Sequence, residues 1–254
     1  MRKFRSLFVS FTFILMLMSF VCISPSMAQR PVVDCQWATV PPTTDGQFAT
    51  GEYPEPPQIS MIPDAFPIEA YVYFMNDHQY LYVLIDAVGD TTDTQGGGGG
   101  VFSYDECLLV FDYVNRIVAE IWGVNNQLAG SDLPAGSTAA IGFGTSINDG
   151  STNHRIFEFK IPLAGINGAP GASLDFASPY SQKFDGGSMP YDSETYRDNI
   201  WPDGLDENNE NTWATIRFAE IPMPVPTLGQ WGVIVLSILM AGPALLAIRK
   251  RRKS

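Results

Sequence analysis

Carboxylates are the chemistry-bearing side chains this sequence offers in abundance. Asp203-Gly204-Leu205-Asp206-Glu207-Asn208 alternates oxygen donors around a glycine, and Asp86, Asp90 and Asp93 share a loop that Asp105-Glu106 closes. Ca²⁺ takes about six to eight oxygen ligands, which makes Asp203, Asp206, Asp105 and Glu106 candidate ligands for it. Solvated loop charge is the competing reading, since the EF-hand spacing is not met. Catalytic chemistry has less to work with. There are two histidines, His78 in a turn and His154 at a strand start, with no Gly-x-Ser-x-Gly elbow and no His-Glu-x-x-His helix. Two carboxylates across a cleft suffice for a glycosidase, but among 27 acidic residues such pairs carry almost no information. The run Gly96 to Gly100 leads into Val101-Phe102 and not Gly-Lys-Ser/Thr, so it reads as a flexible linker without phosphate-loop chemistry. The chain reads as a non-enzyme, and Ca²⁺ is the cofactor these side chains suggest.

These groups must be carried by an exported chain. Arg2, Lys3 and Arg5 precede an apolar run from Leu7 to Ile23 and a small-residue site at Ser26-Met27-Ala28, so residues 1–28 read as a signal peptide for the Sec export machinery, an uncleaved helix being the alternative. At the other end, residues 221–230 form a Pro-rich linker and residues 231–248 are uncharged. A helix of that length spans about 27 Å, against a bilayer core of about 30 Å. Pro243 interrupts it, and residues 249–254 are a basic tail that the positive-inside bias keeps cytoplasmic, leaving residues 29–220 outside. Hydropathy alone describes an ordinary membrane anchor.

Removing both ends leaves seven basic residues against all 27 acidic ones, a net charge of −20. Such a domain is a poor partner for nucleic acid, whose affinity comes from Lys and Arg on phosphates. Cys22 belongs to the signal, so Cys35 and Cys107 remain, a candidate disulfide for an exported chain or else two buried thiols.

The ectodomain has no convincing helical period. Strand signals recur at residues 70–75, 80–86, 106–113, 117–124, 139–143, 155–161 and 213–218, with Asn76 to Gln79 a tight turn. Phe157, Phe159 and Ile161 alternate with Glu158 and Lys160, and Ala214, Ile216 and Phe218 with Thr215 and Arg217, which predicts strands with one wet face. Residues 80–85 and 107–111 are continuous apolar runs, as for central strands covered on both sides. An all-β sandwich of two antiparallel sheets accommodates both patterns.

Two resemblances add to this. Pro226-Thr227-Leu228 with Trp231-Gly232, an apolar segment and a basic end resembles the sorting tail of bacterial exosortase substrates, with Val225 in place of the usual Ile. That resemblance implies recognition by an exosortase-like membrane transpeptidase, removal of the helix, and transfer from the inner membrane to the cell surface or extracellular matrix. Asp45-Gly46 with Gly51-Glu52-Tyr53, Tyr80-Leu81-Tyr82-Val83 with Asp86, Asp105 to Asp112, and Phe157 to Leu163 resemble, in order, the strand motifs of family 9-like carbohydrate-binding modules and DOMON-type sandwiches, with Tyr53 where Trp is usual. That likeness implies a sugar stacked on tryptophan, an exopolysaccharide or envelope glycan being the partner. Trp201, Trp213 and Trp122 are the candidate platforms, Trp213 because it shares the phase of Thr215 and Arg217; core packing is the other role open to each. The DOMON likeness also admits haem, with His154 and Met61 or Met75 as ligands. The alternative to glycan binding is a structural surface or matrix protein whose sandwich is stabilised by Ca²⁺.

Overall fold

The computed structural model describes residues 30–62, 68–91, 105–124, 127–177, 201–203, 205–206 and 208–223, together with residues 232, 235–237 and 239. The expected signal peptide, the glycine loop, Pro226, Thr227, Leu228 and Trp231 lie outside the described residues.

Among the described residues twelve strands form two sheets. The first has the order β1 (Val32–Asp34), β12 (Ala214–Arg217), β11 (Ser173–Ala177), β6 (Asp105–Phe111), β7 (Ile117–Val124), β8 (Gln127–Asp132). The second has β2 (Gln36–Trp37), β4 (Ala70–Asn76), β5 (Tyr80–Ala87), β10 (His154–Pro162), β9 (Thr138–Gly144), with β3 (Ile59–Met61) also on β4. Pairing is antiparallel except at the amino-terminal run, where β1 lies parallel to β12 and β2 parallel to β4. One short segment therefore stitches both sheets. Arg30 starts it, donating to the carbonyls of Trp213 and Ala214 at 2.9 Å each and pairing with Asp175 at 2.5 Å.

The inner faces supply the core. Phe74, Val83 and Ile85, Phe157, Phe159 and Ile161 of the second sheet meet Leu109, Phe111, Ile121, Phe176 and Ile216 of the first, all buried. Burying each such side chain contributes roughly 1.5–3 kcal/mol. Asp77 turns β4 into β5, as the turn signal predicts: its Oδ1 accepts the N–H groups of Gln79 and Tyr80, and its Oδ2 the Tyr82 hydroxyl.

Cys35 and Cys107 are both buried thiols, not halves of the expected disulfide. Cys35 follows β1 and its N–H still bonds to Arg217, whereas Cys107 lies in β6, three strands away. At about 4.8 Å per strand that is roughly 14 Å along the sheet, twice what a disulfide tolerates.

Candidate functional site

The expected wet face of β10 is roofed. Residues 38–55 cross the outer face of the second sheet, where Ala38, Phe48 and Tyr53 pack with Tyr73, Met75, Tyr82, Leu84 and Ile156. Phe48 meets the Tyr73 ring edge-on, with centroids 4.9 Å apart. Glu158, expected in water, is fully buried beneath this roof. Its Oε2 accepts the N–H groups of Asp45 at 2.8 Å and Gly46 at 2.6 Å. Burial pushes its carboxyl up to about 8; those two N–H groups work against the shift, while Glu52 and Asp45 add to it.

The roof explains a motif. Gly46 has φ +78°, and a Cβ on Gly142 of β9 would overlap the Gly46 carbonyl, so roof and sheet meet backbone to backbone. Asp45 Oδ1 accepts the Gln47 N–H, and Glu52 accepts the N–H groups of Thr43 and Ala49. Asp45-Gly46…Gly51-Glu52-Tyr53 is thus a self-closed loop that covers a sheet.

Where this loop meets β9 it leaves a cleft of about 520 Å³. Asp45, Gln47, Phe48 and Ala49 form one wall, Ile141 to Thr145 the other, and Asn153 and Ile156 complete it. Gln47, Thr145 and Asn153 are exposed and neutral, and Asp45 is the one ionisable lining side chain. Phe143 is half-buried with the Arg155 guanidinium 5.3 Å over its ring. Amides, a hydroxyl and glycine backbone suit a neutral, polyhydroxylated ligand. None of Gln47, Phe143, Thr145 or Asn153 was expected in a site. The signal that would have pointed to them is Gly142 inside an edge strand, a mark of close backbone approach.

A second polar cluster lies under the same face. Asp86 Oδ1 meets His154 Nε2 at 2.7 Å, and its Oδ2 accepts from Ser146 Oγ and Asn148 Nδ2 at 2.6 Å each. His154 Nδ1 faces the Thr152 carbonyl at 2.9 Å. Both ring nitrogens thus face acceptors, which the imidazolium satisfies best. Burial lowers the His154 pKa, but the bond to Asp86 leads the effects that raise it, and the net direction is up. Serine, histidine and aspartate are all present, yet the serine bonds to the carboxylate and not to the imidazole, so the base does not reach the hydroxyl as a nucleophile requires. His154 so engaged is also not placed to ligate haem.

The expected platforms are not brought together. Trp213 is 2% exposed: the outward phase holds, but Tyr113, Leu108 and Leu205 cover that end of the first sheet. Trp201 is half-buried and packs on the core beside Phe176. Trp122 is half-buried on β7, its indole against Gly130 of β8. Among the proposed Ca²⁺ ligands, Asp203 and Asp206 are exposed, with Asp206 accepting the Asn208 N–H. Asp105 is buried and pairs with Arg155 at 2.5 Å, while Glu106 is buried on the opposite face of β6. No group of three His, Cys, Asp or Glu able to hold a metal occurs among the described residues.

Among the described residues no helix is long and apolar enough to cross a membrane. The chain divides into two units, Met1–Ala219 and Glu220–Ser254, and in the second Gly232, Val235 to Ser237 and Leu239 are helical. No curated protein matches the chain. A family 9 carbohydrate-binding module from Caldicellulosiruptor kristjanssonii, solved with glucose, is similar at 14% identity and a TM-score of 0.45, covering 76% of this chain and 98% of that one. The same organism's family 9 module with cellotriose gives 14% identity and a TM-score of 0.44, covering 78% and 99%. The tail carries the sequence match: residues 223–253 match the IPTL-CTERM motif.

Proposed function

We propose that this chain is an exported, surface-sorted and non-catalytic protein whose β-sandwich binds a neutral carbohydrate in the cleft between the Asp45–Ala49 wall and β9. The observation that carries the reading is the lining of that cleft: neutral amide, hydroxyl and backbone groups with one carboxylate. The family 9 modules with glucose and cellotriose bind ligands of this class, and the net acidity disfavours polyanions. The IPTL-CTERM tail supports processing by a membrane transpeptidase and delivery outside the cytoplasm.

The test is retention of the full chain, held in a zwitterionic detergent without sugar head groups, on immobilised neutral and charged polysaccharides. Retention on neutral glycans that falls about tenfold or more for Asn153→Ala with Gln47→Ala supports the cleft, since each lost hydrogen bond is worth about 1 kcal/mol. Equal retention of that double variant overturns it. Loss instead in Trp201→Ala or Trp122→Ala would move the site to a tryptophan.

A further inference from the structure

Glu158 does not line the cleft, yet the groups it holds do. Its side chain is fully buried, Oε2 accepts the N–H groups of Asp45 and Gly46, and Oε1 has no hydrogen-bond partner among the described residues. Those two donors open the loop wall of the cleft, and Gly46 rests on Gly142 of the opposite wall. A shift of the Glu158 carboxyl therefore moves the cleft.

We propose that Glu158 is the positioning residue of this cleft and that binding there is proton-linked through it: the neutral side chain keeps the Asp45–Ala49 wall seated, and its ionisation unseats the wall. The proposal rests on the carbohydrate reading for its ligand, but not for the movement of the wall.

The surroundings set the direction. From the roof Glu158 faces Asp45, Glu52 and Tyr53, and Tyr82 stands on β5 under the same roof. Its cross-strand partners, Leu84 and Ala140, carry no charge. Lys160, two residues along the same face, has its ammonium 4.3 Å over the Tyr80 ring. Ionisation at Glu158 thus adds a desolvated negative charge beside two carboxylates. With the wall seated the carboxyl holds its proton up to about 8. With the wall lifted it returns to water, where about 4.3 is ordinary. The seated wall binds the extra proton between those values, so raising the pH through them favours the lifted form.

Two measurements on the full chain in the same detergent test this. Affinity for a retained neutral glycan is expected to fall about tenfold between pH 7 and pH 9 in the wild type, one pH unit beyond the carboxyl's midpoint. Glu158→Gln keeps an acceptor for both N–H groups and should retain the pH 7 affinity with no alkaline loss, whereas Glu158→Ala should bind more weakly at every pH. Without any sugar, amide-exchange protection at Asp45 and Gly46 should drop from pH 6 to pH 9 in the wild type and stay level in Glu158→Gln. Level protection in the wild type, or an equal drop in Glu158→Gln, overturns the proposal. Shifting protection with no glycan bound at any pH sustains the positioning role and sinks the carbohydrate reading alone.

Discussion

The outer faces of the two sheets carry similar side chains and treat them in opposite ways. On the second sheet Asp86 meets His154 at 2.7 Å with both side chains fully buried; on the first, Asp34 meets Arg217 at 2.6 Å with side chains 64% and 55% exposed. The contacts are almost equal in length and differ in everything solvent decides. A roofed pair cannot lose one partner without stranding the other charge, whereas water and salt replace a lost partner on an open face.

The sharpest way to break this comparison is Asp86→Ala, which leaves the His154 imidazolium, Ser146 and Asn148 without their common acceptor. A loss of about 3–5 kcal/mol in urea unfolding is expected. Trp213→Ala tests a roofed end of the first sheet and should cost about 3–5 kcal/mol, clearly more than Trp122→Ala in the same assay, because Trp213 is buried and Trp122 only half-buried. Gly142→Ala should cost about 1–3 kcal/mol by pushing the roof off the sheet, with glycan retention falling in step.

A pH series sharpens the contrast without a large change at any one site. His154 and Glu158 both have folded pKa values raised above their unfolded ones. The folded state therefore binds the extra protons, and stability present at low pH is lost as the pH rises. For Glu158 the window runs from about 4.3 to about 8, and for His154 it opens near 6.5. The urea midpoint should fall from pH 5 to pH 9, and Glu158→Gln with His154→Gln should flatten that slope. The smallest effect expected is that of Asp34→Ala, which should leave both midpoint and slope unchanged within error. A clear loss there would dissolve the distinction between the faces.

Six strands of seven to nine residues, β4, β5, β6, β7, β9 and β10, were legible in the sequence because their periods are long enough to read, and the four-residue β12 was legible because the alternation around it runs from residue 213 to residue 218. The strands that escaped, β1, β2, β3, β8 and β11, have between two and six residues. Of these β8 is almost wholly exposed and has little pattern to show. Alternation also cannot tell a wet face from a roofed one. Glu158 sits on the face its phase dictates, and so does Trp213, but what covers each comes from distant parts of the chain, Asp45-Gly46 in one case and Tyr113 with Leu205 in the other. The Asp45-Gly46…Glu52-Tyr53 motif was visible, while its task as a roof needed Gly142, almost a hundred residues on, to make sense. The cleft was illegible for a related reason: Gln47, Thr145 and Asn153 are ordinary polar residues until two loops bring them together.

The parallel pairing of β1 with β12 has a mechanical consequence. The chain enters the sandwich at Arg30 beside the start of β12 and leaves through Arg217 beside the end of β1. A tension drawn between these two points, as on a molecule tethered at its carboxyl end while its amino-terminal portion is pulled, slides β12 along β1. The rungs between Val32 and Thr215, Val33 and Ile216, and Asp34 and Arg217 then bear the load together and do not open one at a time. Arg30 adds a bolt across the same seam through its carbonyl contacts to Trp213 and Ala214. The strand pair that closes the domain is thus also oriented to resist being drawn apart.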